Sequence, residues 1–296
     1  MMIKNILCPI DRSPSSLQAF DRAIALARWQ GARLHVLEVI ESVALPAGSV
    51  SRQHAVPNEA RAALEKDLRQ MLVSRRASDV KVEIVMREGN VVREILAQAR
   101  DSRADLVVIG SHGRGGVQRL VLGSVAEKVL RQAPCPVLTI RRGVSRVRRN
   151  RPPFKTILCP TDLSKAGNKA LVYAKRLARA ADARLIVMNA VEWPFGSAVT
   201  SGPMAELQNG LEETARKALV RLLPRPGADR PAAEAIVVHG KASAAILKVA
   251  RARSADLIVM GLSGRGALDV ALLGSTTHYV IRRGEWPVLT VPPGTR

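Results

Sequence analysis

The chain repeats itself at a fixed offset, and no other feature of the sequence restricts its fold as tightly. Lys4-Asn5-Ile6-Leu7-Cys8-Pro9-Ile10-Asp11 returns as Lys155-Thr156-Ile157-Leu158-Cys159-Pro160-Thr161-Asp162. Arg103-Ala104-Asp105-Leu106-Val107-Val108-Ile109-Gly110 returns as Ser254-Ala255-Asp256-Leu257-Ile258-Val259-Met260-Gly261. Pro136-Val137-Leu138-Thr139-Ile140 returns as Pro287-Val288-Leu289-Thr290-Val291. In each block the offset is 151, as from Lys4 to Lys155. A constant offset over three separated blocks means a duplicated domain. The 296 residues then divide into a domain at 1–143, a linker at 144–153 and a domain at 154–296, each of ordinary size. The join runs from Arg141 to Pro153 and carries Arg141, Arg142, Arg146, Arg148, Arg149 and Arg151 before Pro152-Pro153. Self-repelling charge and paired prolines predict an extended, exposed linker.

Within the first copy, apolar runs alternate with helical patterns. The strands expected are Asn5–Pro9, Arg33–Ile40, Lys81–Arg87, Leu106–Ile109 and Val137–Ile140. Leu17, Phe20, Ile24 and Ala27 share one face of a helix over Ser15–Gln30. Further helices are expected over Glu59–Arg76, Val91–Arg100 and Val125–Gln132. Strands alternating with helices predict an α/β fold: two tandem, doubly wound, five-stranded parallel sheets. Ligands of such sheets sit beyond the carboxyl ends of the strands, at the switch point.

Composition narrows the function classes. Hydrophobic residues make up 47% of the chain and aromatics 3%, a balance that suits buried parallel strands. No charge-free run of about 18 apolar residues is present, which argues against a membrane span. The amino terminus reads as a first strand rather than a signal peptide. The three cysteines, Cys8, Cys135 and Cys159, form no disulfide framework and no metal-ligand spacing. They read as small buried residues in a reducing, cytoplasmic protein. A net charge of +21 attracts polyanions, whether nucleotide, nucleic acid or anionic surface.

The chemistry gathers after the fourth strand. Gly110, Gly113, Gly123 and Ser124 form a Gly-x2-Gly-x9-Gly-Ser pattern, and Gly261, Gly264, Gly274 and Ser275 repeat it. Glycines let backbone amides approach phosphate oxygens. A helix N-terminus favours an anion there. Ser124 and Ser275 add hydroxyl donors. The structural alternative is that the glycines merely make turns and that Ser124 with Glu127 is a capping box. Asp11 and Asp162 follow the first strand of each copy and are suited to a ribose hydroxyl or a base amine. Their alternative is capping of the helix near Ser13 or Ser164. His112 is a candidate ligand-facing donor, or a solvated loop histidine. Arg114 and Arg265 are candidate phosphate clamps, or exposed loop charges.

These patterns, with the strand–Pro-x-Asp start and the closing Pro-Val-Leu-Thr strand, resemble the universal stress protein family over nearly the whole chain. The resemblance implies an adenine-nucleotide-binding fold of the adenine nucleotide alpha hydrolase type. It implies that Asp11 contacts the adenosine, that Val39 meets adenine through its backbone, and that Gly110, Gly113, Gly123, Ser124 and Val125 line the phosphates. In the second copy the matching positions are Asp162, Ala190, Gly261, Gly264, Gly274, Ser275 and Thr276. It also implies that the copies pair through Val137–Ile140 and Val288–Val291 as an internal pseudo-dimer, with homodimerisation a further option. The second copy departs from the first: Leu262 replaces Ser111, Ser263 replaces His112, Ala267 replaces Gly116 and His278 replaces Glu127. Leu262 is expected to narrow or dry the entrance, and the second site to take another ligand or none.

The function expected is an ATP-binding stress-response regulator, with or without magnesium. Neither a Gly-x4-Gly-Lys-Ser/Thr phosphate loop nor a Gly-x-Ser-x-Gly elbow is present, and no catalytic or metal-binding residue is assigned. A slow ATPase or nucleotide hydrolase is the enzymatic alternative. A polyanion-binding or scaffolding protein is the third reading, motivated by charge and opposed by the scarcity of aromatics for base stacking.

Overall fold

A computed structural model describes residues 3–41, 58–112, 122–141, 143, 153–192, 202–223, 232–262 and 273–293. The chain divides into two compact units, Met2–Arg151 and Pro152–Arg296, the latter taking Met1. The linker expected at 144–153 lies almost wholly outside the described residues.

The first unit runs β1 (Asn5–Ile10), α1 (Pro14–Gln30), β2 (Arg33–Ile40), α2 (Asn58–Ser74), β3 (Lys81–Glu88), α3 (Val91–Asp101), β4 (Leu106–Gly110), α4 (Ser124–Gln132) and β5 (Val137–Ile140). Its strands lie parallel in the order β3-β2-β1-β4-β5. The second unit repeats the plan. It runs β6 (Thr156–Pro160), α5 (Lys165–Ala181), β7 (Arg184–Val191), α6 (Pro203–Leu222), β8 (Ala233–His239), α7 (Ala242–Ala252), β9 (Leu257–Gly261), α8 (Ser275–Arg283) and β10 (Val288–Val291). Its parallel order is β8-β7-β6-β9-β10. Both are doubly wound sheets, with the chain reversing its winding between β1 and β4 and between β6 and β9.

Local chemistry explains the element ends. The Ser13 hydroxyl accepts from the Ser16 N–H at 3.3 Å, Pro14 opens α1, and Gly31 at φ 64 closes it. Ser164 caps α5 through the Gly167 N–H at 3.1 Å, and Asp182 takes the left-handed closing position at φ 48. Asn90 caps α3 through the Arg93 N–H at 3.1 Å. The same staple fixes the start of each sheet. One Asp105 carboxylate oxygen accepts the N–H groups of Lys4 and Asn5 at 2.8 and 3.0 Å. One Asp256 oxygen accepts those of Lys155 and Thr156 at 2.7 and 3.0 Å.

The cores are aliphatic. Ile6, Leu7, Leu34, Val36, Leu106, Val107 and Leu138 of the first unit are buried, as are Ile157, Leu158, Leu185, Ile186, Leu257 and Ile258 of the second. Cys8, Cys135 and Cys159 are buried free thiols. Among the described residues no helix is long and apolar enough to cross a membrane.

Candidate functional site

The carboxyl edge of β1 opens on a turn that both units share. The Asp11 carboxylate accepts the Ser13 N–H at 3.0 Å, and Asp162 accepts the Ser164 N–H at 3.0 Å. Arg12 and Leu163 sit between them, each at φ 64. A side chain in the left-handed region costs about 1 kcal/mol, so the turn is held by its hydrogen bonds. Ser13 and Ser164 are the caps, and the aspartates brace the turn before them. Each aspartate therefore has structural work at the edge where a ligand would bind.

The end of β4 is tied to this turn. The Ser111 N–H donates to the Ile140 carbonyl at 2.8 Å, and the Ser111 carbonyl accepts from the Gly123 N–H at 2.8 Å. The Ser13 hydroxyl donates to the His112 carbonyl at 3.4 Å, and the Ser15 hydroxyl donates to the same carbonyl. Asp11, His112 and Gly123 are thereby gathered at one edge of the first unit, at the switch point between β1 and β4.

Gly110 has a packing role as well. A Cβ there would lie 2.8 Å from backbone atoms of Ser15 and Ser16. At Gly261 it would lie 2.9 Å from the Ala166 carbonyl carbon. The first glycine of each pattern thus allows a helix to close on its strand, a requirement separate from phosphate access.

The capping-box alternative at Ser124 is corrected. Gly123 is the N-cap, extended at φ −62 and ψ 140, and supplies no side-chain cap. Ser124 is the first helical residue, one place too late to cap. The Glu127 N–H goes to the Gly123 carbonyl at 2.9 Å, while its carboxylate pairs with Arg131 at 2.7 Å. Gly274 repeats this arrangement ahead of α8, again without a side-chain cap. The first-turn amides of α4 and α8 are thus left without the side-chain acceptor that Ser13, Asn90 and Ser164 supply elsewhere, and the helix dipole makes these ends favourable for an anion.

His112 stands beside this end. Its Nδ1 lies 2.8 Å from the Ser111 hydroxyl, and its Nε2 is buried with no partner among the described residues. Burial, then the Arg141 charge, push its pKa down. The ring is neutral near pH 7, with one nitrogen committed and one open. Val39, next to last in β2, is half-buried, and Val125 is half-buried in the first turn of α4.

One feature was missed from the sequence. Glu38, on β2 next to Val39, is 4% exposed, and its carboxylate lies 3.1 Å from the Arg12 guanidinium. Arg12 also reaches Asp67 of α2 at 3.2 Å. The signal available was a lone acid in the run Val36-Leu37-Glu38-Val39-Ile40. The pair ties the β1 turn to the end of β2. At the matching places the second unit has Leu163 and Asn189, and Asn189 donates to the Thr161 carbonyl at 2.8 Å.

The second edge distributes its polar groups differently. Ala166 stands where Ser15 would bind a loop carbonyl, and Leu262 is buried where Ser111 is buried. The Gly274 N–H still reaches the Leu262 carbonyl at 2.9 Å. Thr277 adds a bond to the Gly261 carbonyl at 3.0 Å that Ala126 cannot make in the first unit. Asp162, Gly261, Gly274, Ser275 and Thr276 occupy the same elements as their first-unit counterparts, and Ala190 is half-buried near the end of β7. Gly113, Arg114, Gly264 and Arg265 lie outside the described residues. Among those described, no group of three or more histidine, cysteine, aspartate or glutamate side chains is placed to hold a metal.

Comparison with known proteins adds to this geometry. A model of the universal stress protein family matches the chain twice, over residues 2–141 and 153–292. The chain is similar to a universal stress protein of Methanocaldococcus jannaschii, 36% identical over 148 residues that make up 48% of this chain and 84% of that protein. It is also similar to the universal stress protein YxiE of Bacillus subtilis, 32% identical over 148 residues, 47% of this chain and 100% of that protein. The crystal structure of a universal stress protein from Archaeoglobus fulgidus matches with a TM-score of 0.69 at 24% identity, covering 98% of each chain, a likeness of fold.

Proposed function

The chain belongs to the universal stress protein family, and from that premise we propose that its first unit binds an adenine nucleotide, ATP, and that the protein acts as a nucleotide-responsive regulator rather than a fast enzyme. The observation that carries the reading is the edge where the Asp11 turn, the His112 ring and the uncapped start of α4 are drawn together by the bonds from Gly123 to Ser111 and from Ser13 and Ser15 to His112. The amides of Ser124 and Val125 serve the phosphates, Gly123 keeps their approach clear of a side chain, and magnesium would accompany them as part of the ligand. The Asp11 carboxylate and the end of β2 at Val39 serve the nucleoside. No residue is assigned as a general base, and His112 holds the Ser111 hydroxyl through one ring nitrogen. The second unit keeps the frame but lacks the Ser15 and Ser111 hydroxyls that tie the first edge together, so its affinity for ATP is the weaker of the two.

Calorimetry of ATP with the nucleotide-stripped full chain tests this. Gly123 has a φ of −62 that valine also adopts, so Gly123→Val places bulk at the phosphate edge without backbone strain. The expected result is binding by the native chain, loss in Gly123→Val and retention in Gly274→Val. No binding by the native chain, or equal binding by Gly123→Val, removes the reading.

A further inference from the structure

Helices α3 and α4 of the first unit pack together and leave between them an open groove of about 470 Å³. It is lined by Asn90, Val92, Arg93, Leu96, Arg100, Lys128 and Gln132. That volume is of the order at which proteins hold small ligands or a peptide side-chain cluster. Its walls carry three cations and no acid.

The charge is left over rather than balanced. Arg87 draws Glu94 at 3.3 Å and Asp101 at 2.5 Å away from the groove, and Arg131 draws Glu127 at 2.7 Å. These are the acids of α3 and α4. Arg93, Arg100 and Lys128 make no ion pair among the described residues, whereas Arg12, Arg28, Arg61, Arg69 and Arg75 each have at least one. Exposed cations along α3 recur at Arg93 and Arg100, two turns apart on the face that carries Leu96. The floor is apolar: Leu96 is buried and Val92 half-buried.

We propose that this groove docks an acidic, amphipathic peptide segment of a partner protein, with carboxylates meeting Arg93, Arg100 and Lys128 and an apolar side chain seated between them on Val92 and Leu96. The apolar floor distinguishes this occupant from a bare polyphosphate. The lining has no aromatic residue on which a nucleic-acid base would stack. The Asn90 side-chain NH2, whose oxygen caps α3, and the Gln132 amide are available to a peptide backbone. Helix-in-groove recognition of this kind combines a buried apolar anchor with a charged rim. The second unit has positive charge in the same region but a different arrangement. Ala244 and Tyr279 replace Arg93 and Lys128, Arg251 pairs with Glu285 at 3.3 Å, and Lys241 and Arg283 replace Asn90 and Gln132.

The test uses the full chain. A random 12-residue peptide library on phage is selected on the native protein and counter-selected on R93E/R100E/K128E. All three side chains are exposed, so the variant folds, and its melting curve verifies this. The expected result is enrichment of peptides with two or more acids flanking a Leu, Ile, Met or Phe. The synthetic peptide then loses affinity by about tenfold or more in the triple variant. In K4E/K66E/K155E, which makes the same charge change at exposed sites elsewhere, the loss is much smaller. Val92→Ser, which installs the residue that the second unit has at Ser243, weakens binding while leaving the charges in place. Val92→Ser leaves ATP affinity unchanged, and the two triple variants, which carry the same charge change, shift it alike. The proposal is overturned by three outcomes. These are no enrichment over the counter-selection, equal losses in the two triple variants, or binding of a dT12 oligonucleotide that depends on the three cations while no peptide does.

Discussion

The Arg12 guanidinium lies 3.1 Å from the Glu38 carboxylate, which is 4% exposed, and this one pair joins the turn after β1 to the end of β2. Arg12 holds its left-handed conformation at φ 64 while making it. Removing Arg12 leaves a buried carboxylate with no cation beside it, and such groups are costly. Because the Arg12 side chain is 30% exposed, the penalty falls below that of a fully buried pair. Arg12→Ala is expected to destabilise the first unit by about 1–3 kcal/mol in chemical denaturation. Arg12→Ala/Glu38→Gln should recover part of that loss, because the charge is gone as well as its partner. If the double variant is no more stable than Arg12→Ala, the pair does not hold the turn.

Gly110 and Gly261 make a second prediction. A Cβ at Gly110 would sit 2.8 Å from the backbone of α1, and one at Gly261 would sit 2.9 Å from the backbone of α5. Backbone cannot step aside as a flexible side chain can. Gly110→Ala and Gly261→Ala should each cost about 1–3 kcal/mol or more through overpacking. Thermal unfolding measures it, and a neutral alanine at either position would refute the packing role. Binding of ATP should suffer in Gly110→Ala only as far as the first unit loosens.

The duplication, the two five-stranded parallel sheets and the four helices of the first unit were legible in the sequence. The reason is that buried parallel strands leave long apolar runs and their crossover helices leave a 3.6-residue rhythm. What was not legible depended on contacts distant in sequence. Nothing local to Arg12 announces that its side chain reaches Glu38 and Asp67, 26 and 55 residues away. Nor does the Ser124–Glu127 spacing reveal that Gly123 has already taken the cap. That outcome rests on an extended backbone at Gly123 and on its bond to Ser111. The groove between α3 and α4 was hidden for the same reason. Its charge is unbalanced because Arg87, on a different element, removes Glu94 and Asp101 and Arg131 removes Glu127.

The three thiols provide a third prediction. Cys8, Cys135 and Cys159 are buried, and burial is the main cause that pushes their pKa values up, to about 12 for Cys135 and Cys159. Thiolate is the reactive form. Iodoacetamide at pH 8 should leave the native chain unmodified and add three groups once guanidinium unfolds it. Modification of the native protein at a rate independent of its unfolding would contradict that burial.

His35 determines how the first unit responds to acid. It lies on β2, 5% exposed, and its Nδ1 is 3.3 Å from a Glu83 carboxylate oxygen without the alignment of a hydrogen bond, so neither ring nitrogen has a hydrogen-bond partner among the described residues. Burial lowers its pKa, Glu83 works against that shift, and Arg33 adds to it. A folded pKa below the unfolded value of about 6.5 means that the unfolded chain binds the proton first. Stability is therefore full above about pH 6.5 and falls as the pH drops below it, by up to about 1.4 kcal/mol per pH unit for one such group. The second unit has Ile186 at the matching position, so His35→Ile is a substitution that the fold already accepts. It should flatten the acid limb of stability against pH for the first unit and bring its gain at pH 5.5 rather than at pH 8. His112, lowered for the same reason, keeps a residual slope that His112→Gln removes. Denaturation midpoints of the native chain and both variants from pH 5 to 8 measure this. A His35→Ile gain that is the same across that range would mean that the imidazole is costly for its shape rather than for its proton.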